Sequence, residues 1–122
     1  MAFPKDEVLL LHNARCSKSR ATQALLEEHG HAFKLRFYLE EPLTREELGA
    51  LRTLLGRPVH EWIRRGEAAY AEAGLGDNPS EAELMDAMAA HPILVERPIV
   101  IRGAAARVGR PPSAVLELFE EA

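Results

Sequence analysis

Residues 8–20 read VLLLHNARCSKSR, and this stretch decides the fold. Its short aliphatic run, bounded by polar residues, predicts a buried strand over residues 7–12. A helix is predicted over residues 18–29, with Gly30 as its C-terminal stop. Cys16, the single cysteine among 122 residues, therefore lies where the strand passes into the helix.

This position favours a thiolate at Cys16. The start of a helix offers free backbone N–H groups and the positive end of the helix dipole, which stabilise a thiolate and also suit a bound oxyanion. Arg15, Lys18 and Arg20 add positive charge to the same loop. The alternative is an inert cysteine packed as a small hydrophobic residue. The polar neighbours argue against that alternative, so we expect a reactive thiol.

Alternation predicts a second strand over residues 33–39. One face of this strand would consist of Phe33, Leu35, Phe37 and Leu39. The helix predicted over residues 18–29 has a less regular inward-facing stripe, because that stripe combines apolar residues with a charged one. That stripe consists of Ala21, Ala24, Leu25 and Glu28.

Two capping boxes predict helix starts in the middle of the chain, TREE at 44–47 and SEAE at 80–83. The apolar residues that follow them at helical spacing are Leu48, Leu51 and Leu55, and then Leu84, Ala87 and Met88. Between the two helices, residues 58–70 predict one or two short helical pieces with Trp62 and Ile63 facing inward. Residues 98–101 and 105–108 predict two strands connected through Gly103, and a final helix starts near Pro111.

The order of these elements predicts an α/β fold. A strand–helix–strand opening implies a parallel strand pair with a right-handed crossover, and the late hairpin makes the sheet mixed. This is the layout of a thioredoxin-like domain. We expect residues 1–122 to form a single domain, with a helical insertion over roughly residues 43–91.

Composition and charge exclude several function classes. The formal net charge is -4 without a polybasic block, so we expect neither nucleic acid nor a membrane as partner. One cysteine excludes an internal disulfide, a C-x-x-C redox pair and a multi-cysteine metal site, and we expect no metal. The N-terminus lacks a signal-peptide pattern, and no apolar run is long enough to span a bilayer. We therefore expect a cytoplasmic protein, and a monomer.

Three segments, in order along nearly the whole chain, resemble the glutaredoxin-coupled arsenate reductases of the ArsC type. The first is the loop from His12 to Arg20, with the pattern H-N-x-x-C-x-x-S-R. The second is WIRRG at 62–66, followed by Tyr70 and by Gly74-Leu75. The third is HPILVERPIV at 91–100, with GRP at 109–111 and an apolar helix after it.

The resemblance implies a glutaredoxin-like, four-stranded mixed sheet with Cys16 as the catalytic nucleophile. It further implies that Arg64, Arg97 and Arg110 bind an oxyanion and that the peptide bond before Pro98 is cis. The residues to which it assigns supporting roles are His12, Asn13, Ser19, Arg20 and Pro98.

The activity implied by the resemblance is reduction of arsenate to arsenite, a detoxification of arsenic. The Cys16 thiolate attacks arsenic and expels water or hydroxide. Glutathione, a cosubstrate and not a bound cofactor, then attacks the adduct and reduces As(V) to As(III). Glutaredoxin removes the glutathione, and arsenite leaves.

Other interpretations stay open at this level. Each arginine taken singly is better explained as a solvated surface charge. The loop CSKS at 16–19 also resembles that of monothiol glutaredoxins, which indicates a glutathione-dependent thiol transferase. Spx-type regulators share the fold and bind RNA polymerase, although many carry a C-x-x-C pair that Ser19 precludes here. The phosphatase-like arsenate reductases are excluded, because their C-x5-R loop requires arginine where this chain has Thr22.

Overall fold

The computed structural model describes residues 3–120. Its strands are β1 (Val8–Leu11), β2 (Lys34–Arg36), β3 (Ile99–Arg102) and β4 (Ala105–Val108). Its α-helices are α1 (Ser17–Glu28), α2 (Arg45–Leu55), α3 (Ala68–Glu72) and α4 (Glu81–Ala90). Short 3-10 helices cover Val59–Glu61, Pro92–Leu94 and Pro112–Phe119. Among residues 3–120, no helix has both the length and the apolar character needed to cross a bilayer.

The four strands form one mixed sheet in the order β2-β1-β3-β4, which confirms the predicted α/β fold class. β1 runs parallel to β2, with Leu10 opposite Leu35. β1 is antiparallel to β3, with Leu10 opposite Val100, and β3 is antiparallel to β4. The chain therefore returns to the centre of the sheet only at β3, after all of α2, α3 and α4.

Alternation along β1 and β3 divides the core between the two faces of the sheet. On one face, Leu10 and Val100 pack with Leu26 of α1 and Val115 of the last 3-10 helix. The opposite face carries the larger cluster, which includes Leu11, Ile99 and Ile101 from the strands and the buried stripes of α2 and α4. The segment predicted as a helical insertion thus covers one face, and α1 covers the other.

Both predicted capping boxes are present. The Thr44 side chain accepts the N–H of Glu47, and the Ser80 side chain accepts the N–H of Glu83. In return, each glutamate side chain accepts the backbone N–H of its threonine or serine. α2 ends at Gly56, which has the left-handed φ of 65° that favours glycine. The predicted stripes, from Leu48 to Met88, are buried as expected.

Trp62, the single tryptophan of the chain, is 0% exposed between the first 3-10 helix and α3. Its indole Nε1 donates to the carbonyl oxygen of Arg57 at 3.3 Å. The neighbouring Ile63 is also buried and forms an isolated β-bridge with Val95. Through this bridge, residues 62–64 lie directly beside residues 94–96.

The prediction of a strand over residues 33–39 is wrong beyond Arg36. The chain turns at Phe37, whose carbonyl oxygen accepts the N–H groups of Glu40 and Glu41. The turn buries Tyr38 and leaves Phe37 and Leu39 39% and 38% exposed, which reverses the predicted faces. Arg36 holds the turn by donating to two of its carbonyl oxygens and by pairing with both carboxylate oxygens of Glu47.

The predicted stripe on α1 is also wrong. The side chains that α1 buries are Ser19, Thr22 and Leu26, while Leu25 is half-buried and Ala21, Ala24 and Glu28 are exposed. The two small polar residues are buried without penalty because their hydroxyls are paired locally. Ser19 accepts the N–H of Asn13, and Thr22 donates to the carbonyl of Lys18. The last helix differs as well, since it is 3-10 throughout.

Gly109 allows α1 to pack closely against the segment that leads into β3. A Cβ at position 109 would lie 2.7 Å from Pro98 Cγ and 2.8 Å from Thr22 Oγ1. The Gly109 N–H also donates to the Pro98 carbonyl oxygen at 2.8 Å. Glycine at this position therefore lets Pro98 approach Thr22 of α1.

We expect Gly109→Ala to lower the free energy of unfolding by about 1–3 kcal/mol, because the rigid proline ring cannot yield to the added methyl group. Urea unfolding followed by circular dichroism measures the effect. Gly66→Ala is the matched control, since a Cβ there meets nothing within 4 Å. Equal stability of the two variants would contradict the packing described here.

Candidate active site

Cys16 is the N-cap residue of α1, with extended backbone angles of φ -92° and ψ 123°. Its own N–H donates to the Asn13 carbonyl, and its carbonyl accepts the N–H of Arg20. No side chain caps this helix. The backbone N–H groups of Lys18 and Ser19 are instead directed at the sulfur.

Three of the predicted supporting residues fix the loop that carries Cys16. Asn13 Oδ1 accepts the N–H of Arg15 at 3.0 Å, and the buried hydroxyl of Ser19 accepts the N–H of Asn13 at 3.3 Å. Arg20 Nη1 donates to the Ala14 carbonyl at 2.9 Å. These contacts hold residues 13–16 in one conformation over the end of β1.

The pKa of the Cys16 thiol lies below its ordinary value. Partial burial is the largest single influence and acts to raise this pKa. The opposing influences together outweigh it, and they are the N–H groups of Ser19 and Lys18 and the guanidinium of Arg97. The loop therefore favours the nucleophilic thiolate form.

His12, at the end of β1, is 3% exposed, and its ring meets Phe37 edge to face. Burial, and then the charge of Arg20, lower the pKa of this imidazole. The lowered pKa favours the neutral imidazole near neutral pH. Within residues 3–120, Nδ1 of His12 has no hydrogen-bond partner.

Arg97 is the predicted arginine that reaches the thiol. Its guanidinium interacts with Cys16, and the Arg97–Pro98 peptide bond is cis, as is the bond between Arg110 and Pro111. Nε and Nη1 of Arg97 are buried and have no hydrogen-bond partner among the residues that the structure describes. The Arg97 guanidinium therefore interacts with the sulfur without being held by a carboxylate of the described residues.

Arg64 and Arg110 join Arg97 in one cluster, although they are held differently. Arg110 Nε donates to the Arg97 carbonyl at 2.7 Å, and it lies 3.2 Å from Oε1 of Glu96. Arg64 Nε lies 3.7 Å from the same carboxylate oxygen, and Arg64 Nη1 pairs with Glu67. The guanidinium groups of Arg64 and Arg110 thus meet at Glu96, and Arg97 joins them through its backbone, while only the Arg97 guanidinium is shown to interact with Cys16.

Sequence reasoning missed two residues of this site. Glu96 was overlooked because an acidic residue between apolar segments gives no periodic signal. Tyr38 was placed on the wrong face of a strand. Its hydroxyl is buried without a partner among residues 3–120, and burial raises its pKa to about 12 while nearby Arg97 acts in the opposite direction. Within the same residues, no group of three His, Cys, Asp or Glu side chains is arranged to hold a metal ion.

Comparison with known proteins gives matches along almost the whole chain. Residues 11–118 match the model of the ArsC family. An uncharacterised protein of Escherichia coli, YfgD, is 44% identical over 92% of this chain and 96% of its own. An arsenate reductase of Haemophilus influenzae is 41% identical, with 92% and 98% covered. The structure of an arsenate reductase from Vibrio cholerae is 46% identical, with a TM-score of 0.86 over 93% of this chain and 98% of that one.

We expect iodoacetamide to alkylate Cys16 with a pH midpoint below that of a free cysteine, because the thiol pKa is lowered. Arg97→Gln should move the midpoint upward, since it removes the guanidinium beside the sulfur. The rate of alkylation against pH measures both. Arg65→Gln removes the same charge from an exposed position and should leave the midpoint unchanged. A midpoint insensitive to Arg97→Gln would contradict this origin of the shift.

Proposed function

The chain belongs to the ArsC family, and we therefore propose that it reduces arsenate to arsenite through the thiolate of Cys16. The relatives from Haemophilus influenzae and Vibrio cholerae, both named arsenate reductases, support arsenate as the substrate. The resemblance of the whole chain supports glutathione and glutaredoxin as the external reductants.

One observation carries this proposal: the Arg97 guanidinium interacts with a thiol of lowered pKa and pairs with no carboxylate of the described residues. The planar fork of a guanidinium suits two oxygens of a tetrahedral oxyanion. The substrate that fits is therefore an oxyanion bound within reach of the sulfur.

The bound oxyanion and the thiolate carry charge of the same sign. Attack of sulfur on arsenic therefore needs positive charge around both groups. Arg97 supplies it beside the thiol, and the N-terminus of α1 directs backbone N–H groups at the same point. In this proposal the protein contributes mainly by positioning the reactants and by electrostatic stabilisation.

Reduction of As(V) to As(III) consumes two electrons, which two thiols supply when they form a disulfide. In the first step a sulfur–arsenic bond forms, and one arsenate oxygen leaves as water after protonation. The chain contains a single cysteine, so the second sulfur must come from another molecule. Glutathione supplies that sulfur in our proposal. Its thiolate attacks Cys16 Sγ, the sulfur–arsenic bond breaks with its electron pair going to arsenic, and arsenite leaves as the Cys16–glutathione disulfide forms. A glutaredoxin thiol then takes the glutathione from this disulfide and regenerates the Cys16 thiol.

We expect Cys16→Ser to reduce arsenate turnover to the background rate, because a hydroxyl at this position cannot form the thiolate adduct. A coupled assay with arsenate, glutathione and glutaredoxin measures turnover. Arg97→Lys keeps the charge but loses the planar fork, and kcat/KM for arsenate should fall roughly 10- to 100-fold.

Arg65→Lys, at an exposed position, is the matched control and should keep wild-type activity. Full arsenate turnover by Cys16→Ser would refute the proposal. Disulfide reduction with glutathione, in the absence of arsenate turnover by the wild type, would support a thiol transferase instead.

A further inference from the structure

Glu96 lies at the centre of the arginine cluster. Its Oε1 accepts the backbone N–H of Arg97 at 3.0 Å and lies 3.2 Å from Arg110 Nε and 3.7 Å from Arg64 Nε. One carboxylate oxygen thus faces donors from three separate segments of the chain. These contacts hold the carboxylate in place, because rotation of the side chain would break all of them.

This carboxylate is accessible from solvent. Glu96 and Arg110 line an open cavity of about 530 Å³, and their side chains are 24% and 37% exposed. The other charged residues that line this cavity are Arg57, Glu61, Arg107 and Glu117. A small anion that reaches Arg110 through this cavity therefore meets the negative charge of Glu96 at the same point.

A carboxylate only accepts hydrogen bonds, so it treats two kinds of tetrahedral anion differently. Near neutral pH, arsenate and phosphate carry at least one O–H group, which can donate to Glu96 while the other oxygens bind the arginines. Sulfate carries no proton under these conditions, and its oxygens face Glu96 with like charge. A binding site can gain specificity by repelling the wrong ligand as well as by contacting the right one.

We propose that Glu96 is a specificity-determining residue, which accepts the O–H of a protonated oxyanion and excludes sulfate from the arginine cluster. The inference rests on the proposed function, since it names the class of anion that the same site takes. Glu96 contributes no covalent step. It selects among anions that Arg64, Arg97 and Arg110 would otherwise bind alike.

The test compares phosphate with sulfate at mildly alkaline pH, where both are mainly dianions and differ in one proton. Isothermal titration calorimetry measures the affinity of each anion directly. We expect the wild type to bind phosphate roughly 10- to 100-fold more tightly than sulfate, the effect expected of one hydrogen bond to a charged group. Glu96→Gln keeps the shape, removes the charge, and should lose most of that preference through tighter binding of sulfate.

Glu67→Gln is the matched control. It removes the same charge from a residue that pairs with Arg64 but contacts neither Arg110 nor the Arg97 N–H in the described structure. Its ratio of phosphate to sulfate affinity should equal that of the wild type. The wild-type ratio tests the inference by itself if Glu96→Gln fails to fold, which circular dichroism detects.

Equal affinities of the wild type for the two anions would overturn the inference. So would a Glu96→Gln variant that binds both anions more tightly by the same factor, because Glu96 would then act only as a competing charge. Arsenate turnover measured on the same preparations separates the two claims. Turnover with equal affinities overturns this inference alone, whereas selective binding of phosphate without arsenate turnover overturns the proposed function alone.

Discussion

The site depends on the N-terminus of α1, which is left without a side-chain cap. Most helices satisfy their first N–H groups with a serine, threonine or aspartate, as α2 and α4 do here. In α1 the N-cap residue is Cys16, and the N–H groups of Lys18 and Ser19 turn to its sulfur. The helix is thereby stabilised most when the sulfur carries a negative charge.

The second constraint brings the distant Arg97 to this helix. α1 buries the small residues Ser19 and Thr22, and Gly109 has no Cβ, so the chain around Pro98 approaches the helix closely. The residue before Pro98 is then fixed beside the thiol. Packing of small side chains therefore determines the electrostatics of the site, because it sets how near the guanidinium comes to the sulfur.

Much of the fold follows from local patterns in the sequence. The capping boxes at Thr44 and Ser80 were found because they are local, and the buried stripes after them follow from helical spacing. The sequence patterns failed to predict the structure where contacts between distant residues determine the path of the chain. Arg36 reaches Glu47 and Pro42 and turns the chain, so Tyr38 is buried although alternation placed it outside. Leu26 was missed because polar residues share its face of α1.

The site was predictable to a similar extent. The thiol was named from the local sequence and the three arginines from the family resemblance, and the structure brings the Arg97 guanidinium to Cys16 and those of Arg64 and Arg110 to Glu96. Their roles in binding stay predictions. Glu96 gave no signal because its position among the arginines arises only when residues 62–64 lie beside residues 94–96.

That same juxtaposition makes Trp62 an intrinsic reporter. The indole is fully buried, and the Trp62 carbonyl accepts the N–H of Glu96 at 3.1 Å. As the chain has no other tryptophan, its fluorescence emission arises from one place, two residues from Arg64. Changes in that emission therefore report structural changes in the layer built from α2 and α4 and in the backbone behind the arginine cluster. No label has to be attached to the protein.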